Sequence, residues 1–363
     1  MRVLVVTGAS GGHIFPAIAF LDTLKERLDE KVKILLVLPK RKNELYLKNI
    51  SYKIKYLSIT PFTFKLNLKN FLSIFNFLKG IFESLFIILE FKPDKIVGFG
   101  SLVSIPLVIF GWLFRINTLI HEQNVIPGRA NFLLARFTDK IAISFKETKN
   151  YFNFSQDKIV LTGNPLRKEL LHIEKNKALN FFGLRPDKFT ILALGGSQGS
   201  HHLNLAFLKA INILFLKYPK LQVIHLCGFR DFDFLKKNYA QLKIDFSLFS
   251  FLDAMQYAYS AADLVFSRAG ALTISELIFF KLPAIISPYP YAFYHQMANA
   301  KVLEKMGAAI IIEDNLLDND ILIRTIEMIL NQPDKLKRMQ QAYNFFPYLD
   351  ANNLLVDSLL ELS

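Results

Sequence analysis

Short apolar runs alternating with helical stretches constrain this chain more than any other feature. Such runs occur at 3–6, 32–38, 96–99, 118–120, 140–144 and 159–162, and a helical pattern over 14–28 follows the first. Continuous apolar runs read as strands buried on both faces, which parallel strands with helical crossovers are. The expected unit is a doubly wound α/β sheet. The pattern breaks at Asn164-Pro165, where a polar, Lys-rich helix is expected over 168–182 and Arg185-Pro186-Asp187 signals a turn. It restarts with a strand at 189–194, followed by 221–226, 263–266, 283–286 and 308–312. Two Rossmann-like domains are therefore expected, joined near 162–167, and 363 residues suit that number. The expected partition is 1–163, 164–341, and a C-terminal helix within 342–363 that returns to the first domain.

Composition excludes several classes. With 52% hydrophobic and 21% charged residues, the chain has material for packed cores and is not a disordered one. The single cysteine, Cys227, rules out an intramolecular disulfide framework and a Cys-built zinc site, and suits the cytoplasm. The seven histidines lack ligand spacing. Asp231-Phe232-Asp233 and Asp318-Asn319-Asp320 mimic an Asp-x-Asp metal motif, but read as loop or helix-start acids. No metal and no cofactor is expected. The formal charge of +13 is lopsided: residues 1–163 carry 23 Lys and Arg against 12 Asp and Glu, while 164–363 carry 21 against 19. Such asymmetry points to a polyanion, either nucleic acid or an anionic membrane surface. Only four apolar residues separate Arg2 from Thr7-Gly8, so no signal peptide is expected.

Three strand ends run into glycine turns: Thr7-Gly8-Ala9-Ser10-Gly11-Gly12-His13, Gly98-Phe99-Gly100-Ser101 and Leu194-Gly195-Gly196-Ser197-Gln198-Gly199. Glycines let the backbone approach a phosphate or sugar, and the following helix offers free N–H groups and a positive dipole end. The first turn also mimics that of short-chain dehydrogenases. Those enzymes need a Tyr-x-x-x-Lys pair, and here only Tyr239/Lys243 has the spacing, in the wrong domain. The second strand ends in Pro39-Lys40-Arg41-Lys42, with no acid to hold an NAD ribose.

Six motifs in order carry a resemblance. They are Gly11-Gly12-His13, His121-Glu122-Gln123-Asn124, Thr162-Gly163-Asn164-Pro165-Leu166-Arg167, Gly195-Gly196-Ser197-Gln198-Gly199, Ser267-Arg268-Ala269-Gly270-Ala271-Leu272-Thr273-Ile274-Ser275-Glu276 and His295-Gln296-x-x-Asn299-Ala300. Over residues 1 to 315 the chain resembles the peptidoglycan N-acetylglucosaminyltransferases that convert lipid I to lipid II. The resemblance implies the GT-B fold, two Rossmann-like domains with parallel sheets facing a central cleft. It implies a UDP-GlcNAc donor held mainly by the C-terminal domain, and an undecaprenyl-diphosphate-MurNAc-pentapeptide acceptor that approaches the N-terminal one. It further implies a peripheral protein on the cytoplasmic face of the inner membrane, with cell-wall synthesis and division proteins as partners. The chain departs from the family at Ser10, where Thr is usual, at Ser101-Leu102, where the family has Gly-Gly-Tyr after the glycine, and at Ala269, where Ser is usual.

The resemblance gives each residue a role that its chemistry can fill. Glu276 would accept from ribose hydroxyls, with an ordinary helix-start Glu capping with Thr273 as the plain reading. Thr273 and the amides of Ala271 and Leu272, with Ile274 and Ser275 in the same turn, would hold phosphate. Ser197 would bond a phosphate oxygen, and Arg167 would clamp diphosphate or uridine. The Leu252 backbone would read uracil. Gln296 and Asn299 would bond GlcNAc hydroxyls, and Asn124 would face the transferred sugar. Ser10, Gly11 and Gly12 would line the donor as well, while Gly98, Gly100 and Ser101 would hold acceptor diphosphate. Inverting displacement at the anomeric carbon needs a base near the acceptor 4-hydroxyl. His13 is the first candidate and Glu122 the second, though Glu122 can equally be a structural partner in its loop. UDP can leave against amides and helix dipoles.

Residues 71–91 hold 14 apolar residues of 21, with Ser73, Asn76, Lys79/Gly80 and Glu83/Ser84 recurring as a polar stripe. The apolar face is expected to pack partly on the sheet. The remainder, with Phe62, Phe64 and Trp112, and a rim of Lys65, Lys69 and Lys79, is expected to meet lipid. Rival readings are another GT-B enzyme using a UDP-sugar, such as a glycolipid synthase or a UDP-GlcNAc epimerase, and a nucleic-acid-binding module. The module would interleave Arg with aromatics, whereas here the basic excess is mostly Lys beside an apolar segment.

Overall fold

The computed structural model describes residues 1–40, 52–59, 68–154, 156–196, 199–290, 295–317, 319–346 and 349–362, the side chains of 68–74 and 319 excepted. Phe62, Phe64, Lys65, Ser197 and Asp318, and the Lys69 side chain, lie outside the described residues. Two units emerge: unit 1 is Met1–Arg167 with Leu349–Ser363, and unit 2 is Lys168–Tyr348.

Unit 1 is built on seven parallel strands: β1 (Arg2–Val6), β2 (Lys33–Pro39), β3 (Lys53–Leu57), β4 (Lys95–Gly98), β5 (Asn117–Glu122), β6 (Lys140–Ile143) and β7 (Ile159–Leu161). Their order is β3-β2-β1-β4-β5-β6-β7, with Val3 beside Ile34 on one side and Lys95 on the other. Successive side chains in β1 serve opposite faces. Val3 and Val5 join Phe20 and Leu24 of α1 (Gly11–Leu28) and Leu355, Val356 and Leu359 of the helix at Ala351–Leu360. Leu4 and Val6 join Ile87 and Ile88 of α2 (Leu68–Phe91) and Leu107 and Val108 of α3 (Ser104–Leu113). A short helix, α4 (Arg129–Leu134), follows β5.

Unit 2 has six parallel strands: β8 (Phe189–Leu194), β9 (Leu221–Leu226), β10 (Asp245–Phe249), β11 (Leu264–Ser267), β12 (Ala284–Ile286) and β13 (Ala309–Ile311), ordered β10-β9-β8-β11-β12-β13. Its helices are α5 (Lys175–Phe181), α6 (His201–Lys217), α7 (Phe232–Tyr239), α8 (Met255–Ala261), α9 (Ala271–Phe280), α10 (His295–Met306), α11 (Asn319–Asn331) and α12 (Pro333–Gln341). The Ala351–Leu360 helix is then α13. Each sheet is covered on both faces, as the apolar runs required.

The expected helix over 168–182 is in fact α5 alone. Glu174 starts it by accepting from the backbone N–H groups of Asn176 and Lys177, and the residues before it are irregular. Helix α2 divides its apolar residues between the core, where Ile87 and Ile88 pack, and an exposed row. Its polar stripe is split: Ser84 is buried and donates to the Gly80 carbonyl, and Glu83 accepts from the Ser58 backbone N–H and hydroxyl, while Lys79 is exposed. Gly80 lets the helix close on Ile59, since a Cβ there would sit 2.2 Å from the Ile59 side chain. Phe75, Leu78, Phe82, Phe86 and Leu89 are left exposed as one apolar row. Among the described residues no helix is long and apolar enough to cross a membrane.

Candidate functional site

In unit 1 three strand ends at the C-terminal edge of the sheet assemble one cluster, the edge where open α/β sheets bind ligands. From β1 comes the turn to α1, whose N-cap Ser10 makes no side-chain cap bond, followed by Gly11, Gly12 and His13. From β4 comes Gly98, then Gly100 and Ser101, both with left-handed backbone at φ +80° and +71°. A side chain at Gly8 would meet Ser101 Cβ at 2.9 Å, so the two turns touch. From β5 come His121 and Glu122, followed by Gln123 and Asn124.

Glu122 is buried, and four donors hold its carboxylate. They are the Asn124 backbone N–H at 2.9 Å, Asn124 Nδ2 at 3.2 Å, the Gly128 backbone N–H at 3.0 Å and Asn131 Nδ2 at 2.8 Å. This is the structural role the sequence left open: the carboxylate folds the 122–131 loop, with Asn124 as one of its donors. His13 is partly exposed, and its Nδ1 lies 3.1 Å from Gln123 Oε1. Burial pushes its pKa below the ordinary histidine value, against the pull of Glu122, Gln123 and the Phe99 carbonyl. The ring is thus neutral at neutral pH and able to take a proton. Arg167 lays its guanidinium 4.5 Å over the Phe15 ring, and its buried Nε has no hydrogen-bond partner. Both amide atoms of the neighbouring Asn164 are likewise buried without a partner.

In unit 2 the centre is the turn between β11 and α9. Gly270 is the N-cap of α9 with no side-chain cap bond, which leaves the first-turn amides of Ala271, Leu272 and Thr273 for an anion. Ser275 is occupied by the Ala271 carbonyl, and Ile274 is core. Glu276 is buried and accepts from the Tyr259 hydroxyl at 2.7 Å. Thr273 is not the N-cap, so the pair forms no capping box. From α10, Gln296 Oε1 accepts the Ala269 and Tyr289 backbone N–H groups at 3.1 and 2.9 Å, and Asn299 Nδ2 donates to the Ala269 carbonyl at 3.1 Å. The two amides therefore grip both sides of the Ala269 peptide, and Asn299 is fully buried in doing so. Leu252 lies in the loop between β10 and α8.

Sequence reasoning missed Arg268. Its buried guanidinium donates to Ser200 Oγ at 2.8 and 3.2 Å, to the Ser287 carbonyl at 3.0 Å, and to Asp314. It thereby ties together the loops after β8, β12 and β13. It also missed Gln123 and His121, although their two-residue spacing along an extended segment places them on one face. Asp231 is buried, accepting from His201 at 2.8 Å and Asn204 at 2.7 Å. Among the described residues no three His, Cys, Asp or Glu side chains are grouped to hold a metal ion.

The chain is similar to known proteins along its whole length. Residues 3–143 match the glycosyltransferase family 28 N-terminal domain, and 190–353 the glycosyltransferase family 28 C-terminal domain. The UDP-N-acetylglucosamine–N-acetylmuramyl-(pentapeptide) pyrophosphoryl-undecaprenol N-acetylglucosamine transferase of Thermodesulfovibrio yellowstonii is 38% identical over 99% of both chains. The enzyme of the same name from Halothermothrix orenii is 36% identical over 98% of both. Among solved structures, MurG of Acinetobacter baumannii matches with a TM-score of 0.75 at 24% identity, covering 99% of each chain. The UDP-GlcNAc 2-epimerase of Neisseria meningitidis bound to UDP-GlcNAc matches at 0.70 with 15% identity, covering 99% of this chain and 100% of that one. At such identities these structures speak for the fold alone.

Proposed function

The chain belongs to the family of UDP-N-acetylglucosamine–N-acetylmuramyl-(pentapeptide) pyrophosphoryl-undecaprenol N-acetylglucosamine transferases, and from that membership we propose its reaction and the residues that perform it. It is a UDP-GlcNAc-dependent glycosyltransferase that transfers GlcNAc to MurNAc on the undecaprenyl-diphosphate-linked pentapeptide, converting lipid I to lipid II. The acceptor 4-hydroxyl attacks the anomeric carbon, the bond to UDP breaks, and the configuration inverts.

One observation supports His13 as the base: a neutral imidazole beside two glycine turns, anchored through Nδ1. Gly98, Gly100 and Ser101 beside it suit the acceptor diphosphate, while Ser10, Gly11, Gly12, Asn124 and Arg167 are unit 1's contribution to the donor. In unit 2 the α9 amides at Ala271–Thr273 stabilise the charge that develops on UDP. Glu276 receives the ribose, Gln296 and Asn299 shape the sugar-binding turn, and Leu252 lies where uracil is read. Ser197, after Gly195-Gly196, would bond a phosphate oxygen. Arg268 and its loop partners preserve this geometry.

The exposed row on α2 supports peripheral binding to the cytoplasmic face of the membrane, where a polyprenyl substrate resides. Helix α3 packs beside α2 and ends in exposed Trp112 and Leu113, with Phe114 following.

Transfer of radiolabelled GlcNAc from UDP-GlcNAc to a short-chain lipid I analogue, in detergent with EDTA, tests the reading. Wild type is expected to turn over. His13→Ala is expected to lose about 10²–10⁴-fold in kcat while still binding UDP-GlcNAc. Near-normal turnover of the variant would remove His13 as base. No transfer by a folded, donor-binding wild type would favour a different acceptor or the epimerase chemistry.

A further inference from the structure

A base must present a bare nitrogen, and a neutral imidazole has one only on the side its surroundings leave unprotonated. In unit 1 a buried hydrogen-bond chain runs from the Gly163 backbone to His13, and its polarity follows from chemistry at each link. His121 is fully buried, and burial lowers its pKa to about 4, so it is neutral. Its Nε2 lies 3.0 Å from the Gly163 carbonyl, which can only accept. Ser144 Oγ, 3.5 Å away, already spends its proton on the Glu122 carbonyl at 2.9 Å. Nε2 of His121 therefore carries the hydrogen, and Nδ1 is bare.

Gln123 is the next link. Its Nε2 lies 3.1 Å from His121 Nδ1, 3.2 Å from the His121 carbonyl and 3.4 Å from the Phe99 carbonyl. Three acceptors face that atom, so it is the NH2 end and the amide cannot be reversed. Oε1 must then face His13 Nδ1, at 3.1 Å, and Nδ1 must donate. A neutral His13 is left with Nε2 bare. The ring carbons flanking Nε2 both neighbour glycines: a side chain at Gly8 would come within 3.0 Å of Cδ2, and one at Gly100 within 3.5 Å of Cε1. The edge of the ring that carries Nε2 is thus the one the two glycine turns approach.

We propose that Gln123 and His121 are positioning residues that lock His13 in the Nδ1–H tautomer, leaving Nε2 as the proton acceptor in the transfer reaction. This rests on the reading of His13 as the base. Among the described residues, the titratable groups that act on His13 are Glu122 at the end of β5 and His121 in the chain itself. Both remain when Gln123 is changed.

The test combines ring-nitrogen NMR with kinetics. With ¹⁵N-histidine-labelled protein at pH 7.5, and His13→Ala to assign the signal, wild-type His13 should show Nδ1 protonated and Nε2 bare. Gln123→Met should yield a tautomer mixture and lower kcat about 10²-fold, the low end of a general base's contribution, with little change in UDP-GlcNAc affinity. Gln123→Glu keeps an acceptor for Nδ1–H and adds a negative charge, so its acid limb in the pH–kcat profile should move to higher pH. An Nε2–H tautomer or an imidazolium in wild type at pH 7.5 would overturn the proposal, as would a Gln123→Met protein that keeps both tautomer and kcat. Retained turnover in His13→Ala would instead overturn the base reading, whatever the tautomer.

Discussion

At the scale of single residues, enclosed histidines set how the protein responds to acid. His225 on β9 is fully buried between Tyr239 and Asn204, and burial lowers its pKa to about 3; His121 in unit 1 sits at about 4. In the unfolded chain both titrate near the ordinary value of about 6.5. From there down to about 4 the unfolded chain binds protons that the native one refuses, so stability is complete above this window and falls as pH drops through it. The loss should reach a few kcal/mol by pH 4. Thermal melts between pH 7 and 4.5 should record it, and His225→Gln should make the decline shallower. Ser101 is a second residue-scale feature. It stands in left-handed backbone at φ +71°, a conformation glycine adopts without strain. The sequence displayed His13, Glu122 and their motifs, and the departure at Ser101. It did not show that Glu122 is saturated and Gln123 is the partner, because four donors converge on Glu122 only after the 122–131 loop has folded.

At the scale of elements, legibility followed the continuity of apolar residues. The central strands were readable as apolar runs, and so were the edge strands β7 and β13, whose residues are apolar throughout. β3 and β10 escaped notice, and each is an edge strand whose residues, alternating or half-exposed, carry no continuous apolar signal. Helix α2 was readable as a helix with a polar stripe, yet the stripe's direction was not. Its partners, Ser58 and Ile59, lie some 20 to 25 residues earlier in the chain, and only tertiary packing reveals that Glu83 and Gly80 face them. The exposed row on α2 makes a firm prediction. Phe82→Asp with Phe86→Asp, and separately Lys79→Glu, should reduce cosedimentation with anionic liposomes, while the melting temperature changes little because both phenylalanines are exposed. Unchanged sedimentation in both variants would sink the membrane reading.

At the scale of the whole molecule, the two sheets share one plan. The order β3-β2-β1-β4-β5-β6 in unit 1 repeats as β10-β9-β8-β11-β12-β13 in unit 2, with β7 added. The chain leaves unit 1 at Arg167 and re-enters it at Leu349. Exit and return are joined side by side: Leu166 N–H donates to Asn352 Oδ1 at 3.0 Å, and Asn352 Nδ2 to the Leu166 carbonyl at 2.9 Å. The end of α13 is held by Lys95, a nearly buried lysine of β4 whose Nζ donates to the carbonyls of Leu359, Leu360 and Leu362. Lys95→Met should cost unit 1 about 1–3 kcal/mol and lower its melting temperature by several degrees. The same change should raise protease sensitivity around α13.

That return has a consequence for birth on the ribosome. Residues 1–167 are made before unit 2, yet the part of α1 that packs on α13 stays uncovered until α13 is made, after all of unit 2. Unit 2, one unbroken stretch, can fold as it appears. The unit whose larger segment is synthesised earlier is therefore the one that is completed later, when Leu355, Val356 and Leu359 close its core against α1.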